Sequence, residues 1–181
     1  MLTIRIQDKI FQRYITHEEI QQRVQEISME LSSKFHDKNP IFIIILRGAF
    51  MFAGDILKYF NDPCEIEFTH LSSYTGMESS GKILIKLPVN ETKIKDRDII
   101  ILEDIVDSGL TMDFFTTYLN QLHPNSITLV SFLYKPENLI KEVKIDHVGF
   151  TIPELFVVGY GLDYSGRFRQ LPYLGVLENA H

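Results

Sequence analysis

Ile99-Ile100-Ile101-Leu102-Glu103-Asp104-Ile105-Val106-Asp107-Ser108-Gly109-Leu110-Thr111 runs from an apolar segment into two carboxylates and then a polar turn. Ile99 to Leu102 is wholly apolar and mostly β-branched, the pattern of a short strand buried on both faces. The strand therefore delivers Glu103 and Asp104 at its carboxyl end. Gly109 permits a tight turn, and the free N–H groups of a helix that starts there favour an anion. Ser108 and Thr111 add hydroxyl donors, so Asp107 to Thr111 reads as a cradle for one phosphate.

Glu103 and Asp104 would repel that phosphate unless they serve something else. Ribose hydroxyls and a divalent cation resolve the conflict, and oxygen ligands with retained waters suit Mg²⁺. The competing reading has Asp107 and Ser108 capping a helix while Glu103 and Asp104 stand in solvent. Other phosphate motifs are absent from the sequence. There is no Gly-x-x-x-x-Gly-Lys, and Tyr164 stands where a dinucleotide fingerprint begun at Gly159-Tyr160-Gly161 needs its third glycine. Asp104 and Asp107 are also one residue too far apart for an aspartyl phosphatase pair.

Outward from this segment, strand and helix signals alternate. Thr16-His17-Glu18-Glu19 has the form of a capping box, followed by Ile20, Val24, Ile27, Leu31 and Phe35 on one helical face. Ile41 to Leu46 is a second doubly buried strand, Arg47-Gly48 a turn, and Ala49 to Phe60 a helix. Cys64, Ile66 and Phe68 alternate with polar residues, as in a strand with one wetter face. Leu71 to Lys82 reads as a Ser/Gly-rich loop and Ile83 to Val89 as a strand. The motif itself is followed by a helix from Met112 to Leu122. Ile127 to Leu133 and Leu155 to Tyr160 are further apolar strands. Together these predict one α/β domain over residues 1–181 with a mainly parallel sheet, whose ligands collect at the carboxyl ends of the strands.

Composition narrows the function classes. The chain has 181 residues, 45% hydrophobic and 23% charged, enough for one real core. A net charge of −6 argues against a nucleic-acid partner bound through phosphate neutralisation. Cys64 is the one cysteine, so no internal disulfide forms and a reducing, cytoplasmic setting is expected. Ile41 to Leu46 is far shorter than the ~20 residues of a membrane helix, so no membrane partner is expected either.

The quoted segment resembles the motif of type I phosphoribosyltransferases that binds phosphoribosyl pyrophosphate (PRPP). In the family order of its flanking motifs, from about Ile41 to Leu177, the chain is similar to the hypoxanthine-guanine phosphoribosyltransferases of purine salvage. The resemblance implies a single domain with a small hood built from the chain ends. It also implies a reaction in which a 6-oxopurine and PRPP give IMP or GMP and pyrophosphate, with Mg²⁺ as cofactor. Asp107 would act as the base at purine N7, and Asp107, Ser108, Gly109, Leu110 and Thr111 would hold the 5′-phosphate. Glu103 and Asp104 would meet ribose and metal, and Asp163 a second metal position beside the purine site.

Leu46-Arg47-Gly48-Ala49 resembles the family's pyrophosphate loop, which often carries a non-proline cis peptide, and Arg169 matches its pyrophosphate-contacting arginine. Ser73-Tyr74 matches the lid, which would span about residues 71–82. Lys135 matches the lysine that donates to the purine 6-oxo group, Phe156 the ring that stacks on the base, and Val157 the backbone at its edge. Three positions depart from common family residues. Arg47 replaces a lysine, keeping the charge on a planar fork; Ser108 replaces a threonine; and Leu110 replaces a lysine in some members. The resemblance implies a homodimer or homotetramer. Two other readings share the motif: a PRPP-binding regulator without catalysis, and a transferase for another base. Asp107 and Ser73-Tyr74 favour catalysis, while Lys135 and Phe156 favour a purine.

Overall fold

The computed structural model describes residues 3–6, 9–73 and 83–178. In chain order the elements are β1 (Thr3–Ile6), β2 (Lys9–Ile15), α1 (His17–Lys34), β3 (Ile41–Leu46), α2 (Phe50–Tyr59), β4 (Glu65–Ser73) and β5 (Ile83–Leu87). Then follow β6 (Asp98–Val106), α3 (Leu110–Asn120), β7 (Ser126–Tyr134), β8 (His147–Thr151), β9 (Val157–Val158) and β10 (Leu174–Leu177). Single 3-10 turns stand at Glu91–Lys93 and Pro136–Asn138.

Two sheets result. A six-stranded sheet has the order β5-β4-β3-β6-β7-β8, parallel except for β5 at the edge. A four-stranded antiparallel sheet, β1-β2-β10-β9, joins the two ends of the chain into the expected hood. Alternation along the central strands divides the core into two layers. Phe42, Ile44, Ile100 and Leu102 pack under α1 and α2, whereas Ile41, Ile43, Ile99 and Ile101 pack under α3. Each such side chain contributes ~1.5–3 kcal/mol on burial, so both strands belong in the middle of the sheet.

The Thr16 box forms as read. Glu19 N–H donates to Thr16 Oγ1 at 3.2 Å and Thr16 N–H donates to Glu19 Oε2 at 2.8 Å. Ile20, Val24, Ile27, Leu31 and Phe35 are all buried beneath that helix. No helix among the described residues is long and apolar enough to cross a membrane.

Several elements differ from the sequence reading. The strand expected at Ile99–Leu102 runs on to Val106, because Glu103, Ile105 and Val106 continue the ladder with β7. Glu103 and Asp104 are thus strand residues rather than loop residues. Leu71, Ser72 and Ser73, read as the start of a loop, extend β4 and pair with β5; residues 74–82 lie outside the described residues. Leu155–Tyr160 shrinks to Val157–Val158 and joins the hood, since Gly159, Tyr160 and Gly161 all take positive φ and end the strand. β8, unforeseen, closes the far edge of the large sheet.

The apolar alternation of β4 points outward. Ile66 is 44% and Phe68 47% exposed, while Glu65 and Glu67 lie on the other face, paired with Lys93 and Arg97. Charge pairing settles the acidic face and leaves the apolar one beyond the reach of α2.

Candidate functional site

The turn after β6 forms the cradle. Gly109 has φ +78°, and a Cβ placed there would overlap the Lys141 carbonyl oxygen, so conformation and packing both call for glycine. Ser108 O accepts from the amides of Ile140 at 2.9 Å and Lys141 at 3.0 Å, which pins the outside of the turn. The first bond into α3 runs from Asp113 N–H to Gly109 O at 2.9 Å. The amides ahead of it have no carbonyl within the helix to donate to. No side chain caps this helix start, so the reading of Asp107 and Ser108 as mere caps fails. Asp107 is exposed, and Asn138 Nδ2 donates to its Oδ1 at 2.7 Å.

Two adjoining cavities mark the carboxyl ends of the parallel strands. The smaller, of about 100 Å³, is lined by Asp107, Ser108, Gly109 and Thr111. The larger, of about 490 Å³, is lined by Arg47, Gly48, Asp104, Asp163 and Arg169. Glu103 and Thr111 line both, so a ligand with a phosphate in the first reaches the second directly.

Glu103 is buried, and its Oε2 has no hydrogen-bond partner. Burial, reinforced by the neighbouring Asp104 carboxylate, pushes its carboxyl well above the usual range. A buried, unpartnered carboxylate oxygen beside a second carboxylate fits a bound divalent cation, and an all-oxygen donor pair suits Mg²⁺. Asp163 stands apart from that pair. It is held by an ion pair with Arg169, and its Oδ2 accepts from Gly166 N–H at 2.6 Å. Among the described residues only His36, Asp37 and Asp62 bring three ligand atoms within 4.8 Å of one another. That exposed, self-paired group sits at the amino ends of β3 and β4, away from the site.

The Leu46–Arg47 peptide bond is cis, as the family resemblance implied. Arg47 is exposed and no carboxylate pairs with it among the described residues. Gly48 fits so closely against Asp104 that a Cβ would overlap Asp104 Oδ2. Gly161 in turn lies on the Gly48 carbonyl, where a Cβ would also overlap. Three segments distant in sequence therefore meet at Gly48.

Of the residues matched to the purine site, Asp163 lines the larger cavity, whereas Lys135, Phe156 and Val157 line neither. Lys135 is nearly buried at the end of β7, its amide donating to Val106 O at 3.0 Å. Phe156 is 49% exposed at the hood, its ring 6.2 Å from Phe11 and 5.9 Å from Tyr164. Val157 is buried in β9. Leu110 lines neither cavity and its side chain is exposed, leaving its amide as the relevant group. The lid pair falls at the edge of what is described: Ser73 ends β4, and its side chain and all of Tyr74 lie outside the described residues.

Sequence reasoning missed two polar residues. His70 lines the larger cavity because its strand partner is Leu46, at the carboxyl end of β3. The strand-end rule could have found it. Asn138 reaches Asp107 across 31 residues of chain, with no local signal.

Residues 12–165 match the phosphoribosyl transferase domain family. The chain is 42% identical over 167 residues to the hypoxanthine-guanine phosphoribosyltransferase of Bacillus subtilis, covering 92% of each. It is 41% identical over 165 residues to the enzyme of that name from Lactococcus lactis, covering 91% of this chain and 89% of that one. Among solved structures, a hypoxanthine phosphoribosyltransferase from Staphylococcus aureus superposes with a TM-score of 0.87 at 35% identity, over 92% of this chain and 91% of that one.

Proposed function

The chain belongs to the phosphoribosyltransferase family, in its hypoxanthine-guanine branch, and from that membership we propose that it transfers the 5-phosphoribosyl group of PRPP to N9 of hypoxanthine or guanine, giving IMP or GMP and pyrophosphate. The observation that carries this reading is the order of groups along the two adjoining cavities. The phosphate cradle at Asp107–Thr111 comes first, then Glu103 and Asp104, then Arg47, Gly48 and Arg169. That order matches 5′-phosphate, ribose and pyrophosphate in one PRPP molecule.

Glu103 and Asp104 would hold Mg²⁺, with Asp163 at a second position. Bound there, the ion would neutralise charge on the pyrophosphate leaving group. The bond to pyrophosphate breaks ahead of attack by N9, so the departing charge needs fixed cations. Arg47 and Arg169 supply two. Asp107 takes the proton from N7: Asn138 holds Oδ1, and Oδ2 has no partner among the described residues. Such general-base help is worth ~10²–10⁴ in rate. Lys135 donates to the 6-oxo oxygen and rejects adenine, whose amino group would leave a nearly buried ammonium unpaired. Phe156 stacks on the base and the Val157 backbone meets its edge. By the family resemblance, Ser73 and Tyr74 belong to a lid that would exclude water from the site.

We read residues 1–181 as one domain, acting in the cytoplasm as a homodimer or homotetramer. Ile66 and Phe68 with Leu84 and Leu87 form an exposed apolar edge on β4 and β5 that a second copy would cover. The test is an assay with PRPP, Mg²⁺ and, separately, hypoxanthine, guanine, xanthine, adenine and uracil. IMP or GMP with stoichiometric pyrophosphate, lost on chelation, is the expected result. PRPP binding without any nucleotide product would replace the enzyme with a PRPP-sensing regulator.

A further inference from the structure

Tyr160 is the largest fully buried side chain among the described residues, yet it sits in a turn of the hood segment rather than in a strand or helix. Its φ is +46°, a region in which bulky residues are rare, between Gly159 at +101° and Gly161 at +100°. Something must hold a tyrosine in that conformation. Its ring packs on Phe132, 4.7 Å between centroids, in the core layer under α2. Its hydroxyl donates to Asp55 Oδ2 at 2.7 Å. Asp55 is itself fixed: Gln21 Nε2 of α1 donates to the same oxygen at 2.7 Å, and Lys58 Nζ donates to Oδ1 at 2.7 Å.

The consequence lies in what stands on either side of Tyr160. Upstream, Val157 and Val158 are paired to Val176 and Gly175 of β10, Val157 packs in the core, and Phe156 rests on Phe11 and Tyr164, so the purine side has supports of its own. Downstream, the backbone bonds from Gly161 to Leu171 close on the segment itself. Gly161 N–H donates to Arg169 O, Leu162 and Gly159 bond each other, and Tyr164 and Arg167 bond each other. Tyr164 and Phe168 tie it to the hood through Phe11. It is tied to the body of the molecule by Tyr160, by Leu162 packed against the same core, and by the close seat of Gly161 on Gly48 O. This same segment carries Asp163 and Arg169, whose guanidinium also donates to Gly161 O at 2.6 Å. Asp55 lies on α2, the helix that begins at the Arg47-Gly48 turn. Tyr160 is thus fastened to the rigid element that presents the opposite wall of the larger cavity.

We infer that Tyr160 and Asp55 are a positioning pair that sets Arg169 and Asp163 against the Arg47-Gly48 turn, and so governs affinity for the pyrophosphate end of the substrate rather than for the base. The inference rests on the assignment of Arg47, Gly48 and Arg169 to pyrophosphate.

The experiment compares Tyr160→Phe, Asp55→Ala, Asp55→Asn and Arg169→Ala, each assayed well below its own melting temperature. KM is measured for PRPP and hypoxanthine in the forward direction and for pyrophosphate in reverse. Tyr160→Phe, which removes one oxygen, should raise KM for PRPP and for pyrophosphate about tenfold, the worth of a hydrogen bond to a charged group. KM for hypoxanthine should stay within about twofold, a split that mere loss of stability would not produce. Asp55→Asn keeps an oxygen acceptor and should stay near the parent, whereas the Tyr160→Phe/Asp55→Ala double variant should be no worse than the more impaired single. Should Asp55→Ala fail to fold, Tyr160→Phe and Asp55→Asn still decide. Equal rises for PRPP and hypoxanthine, or no rise for PRPP, would overturn the pairing. If Arg169→Ala left PRPP and pyrophosphate unaffected, the pyrophosphate assignment itself would fall. A strong Arg169→Ala effect beside a silent Tyr160→Phe would remove the positioning pair alone.

Discussion

The cradle at Asp107–Thr111 is made from one turn of chain between a strand and a helix, its donors supplied by consecutive residues and its shape by one left-handed glycine. The opposite wall, with Arg47, Gly48, Asp163 and Arg169, gathers residues more than a hundred positions apart. Its purine side adds Lys135 from the large sheet and Phe156 from the hood. The first region draws its donors from the local backbone, and Asn138, Ile140 and Lys141 only brace it from outside. The second exists only after the hood has docked on the body. The difference teaches where each tolerates change: the cradle through its backbone, the other wall through contacts that a single distant substitution can loosen.

Asp107→Asn, at the start of the cradle, should show the largest effect. Turnover with hypoxanthine should fall by ~10²–10⁴ while calorimetry still detects PRPP binding. Near-normal turnover would mean that the proton leaves by another route. Glu103→Gln comes next: the Mg²⁺ concentration needed for half-maximal activity should rise ~10-fold or more, read by metal titration. An unchanged requirement would move the metal away from β6.

Phe156→Leu sharpens the contrast on the purine side. KM for hypoxanthine should rise about 2- to 13-fold, the equivalent of ~0.5–1.5 kcal/mol of lost stacking, with KM for PRPP unmoved. A parallel rise in both would show that the two regions are not independent.

Asp55 supplies a smaller, pH-dependent effect. Burial pushes its carboxyl up, but the bonds from Lys58, Tyr160 and Gln21 outweigh that and hold it below the usual carboxylate value. A depressed carboxyl adds stability above its unfolded pKa of about 3.9, and that stability is lost as pH falls through the folded value. The Tm gap between the parent and Asp55→Asn should therefore be widest near neutrality and narrow below about pH 4. A gap that is constant with pH would show that charge plays no part in the Asp55 bonds. The smallest effect belongs to Thr16→Ala, which removes a cap worth about 1 kcal/mol far from the cavity. Tm should drop by ~2–4 °C with kinetics unchanged. Altered KM values would reveal coupling between α1 and the site.

Legibility in the sequence followed the reach of each interaction. The central strands and the capping box were readable because period and spacing are local properties. The length of β6 was not, since Glu103 to Val106 are held in the sheet by their partners on β7. Leu155–Tyr160 read as one strand because its hydrophobicity is continuous. Three successive positive φ values, stabilised by Tyr160 reaching Asp55, break it. Ile66 and Phe68 read as the inner face of β4, because hydropathy cannot reveal that Glu65 and Glu67 find cations on the other side.

By itself the sequence determined the α/β class, the strand-turn-helix cradle and the carboxylate pair ahead of it, because consecutive residues carry all three and their backbone preferences act locally. Only the tertiary structure decided that Gly48 seats against both Asp104 and Gly161, that Asn138 holds Asp107, and that Tyr160 is anchored to Asp55. Those contacts join segments 31 to 113 residues apart, and which atoms meet across such distances is settled by how the two sheets and three helices pack, not by any spacing along the chain.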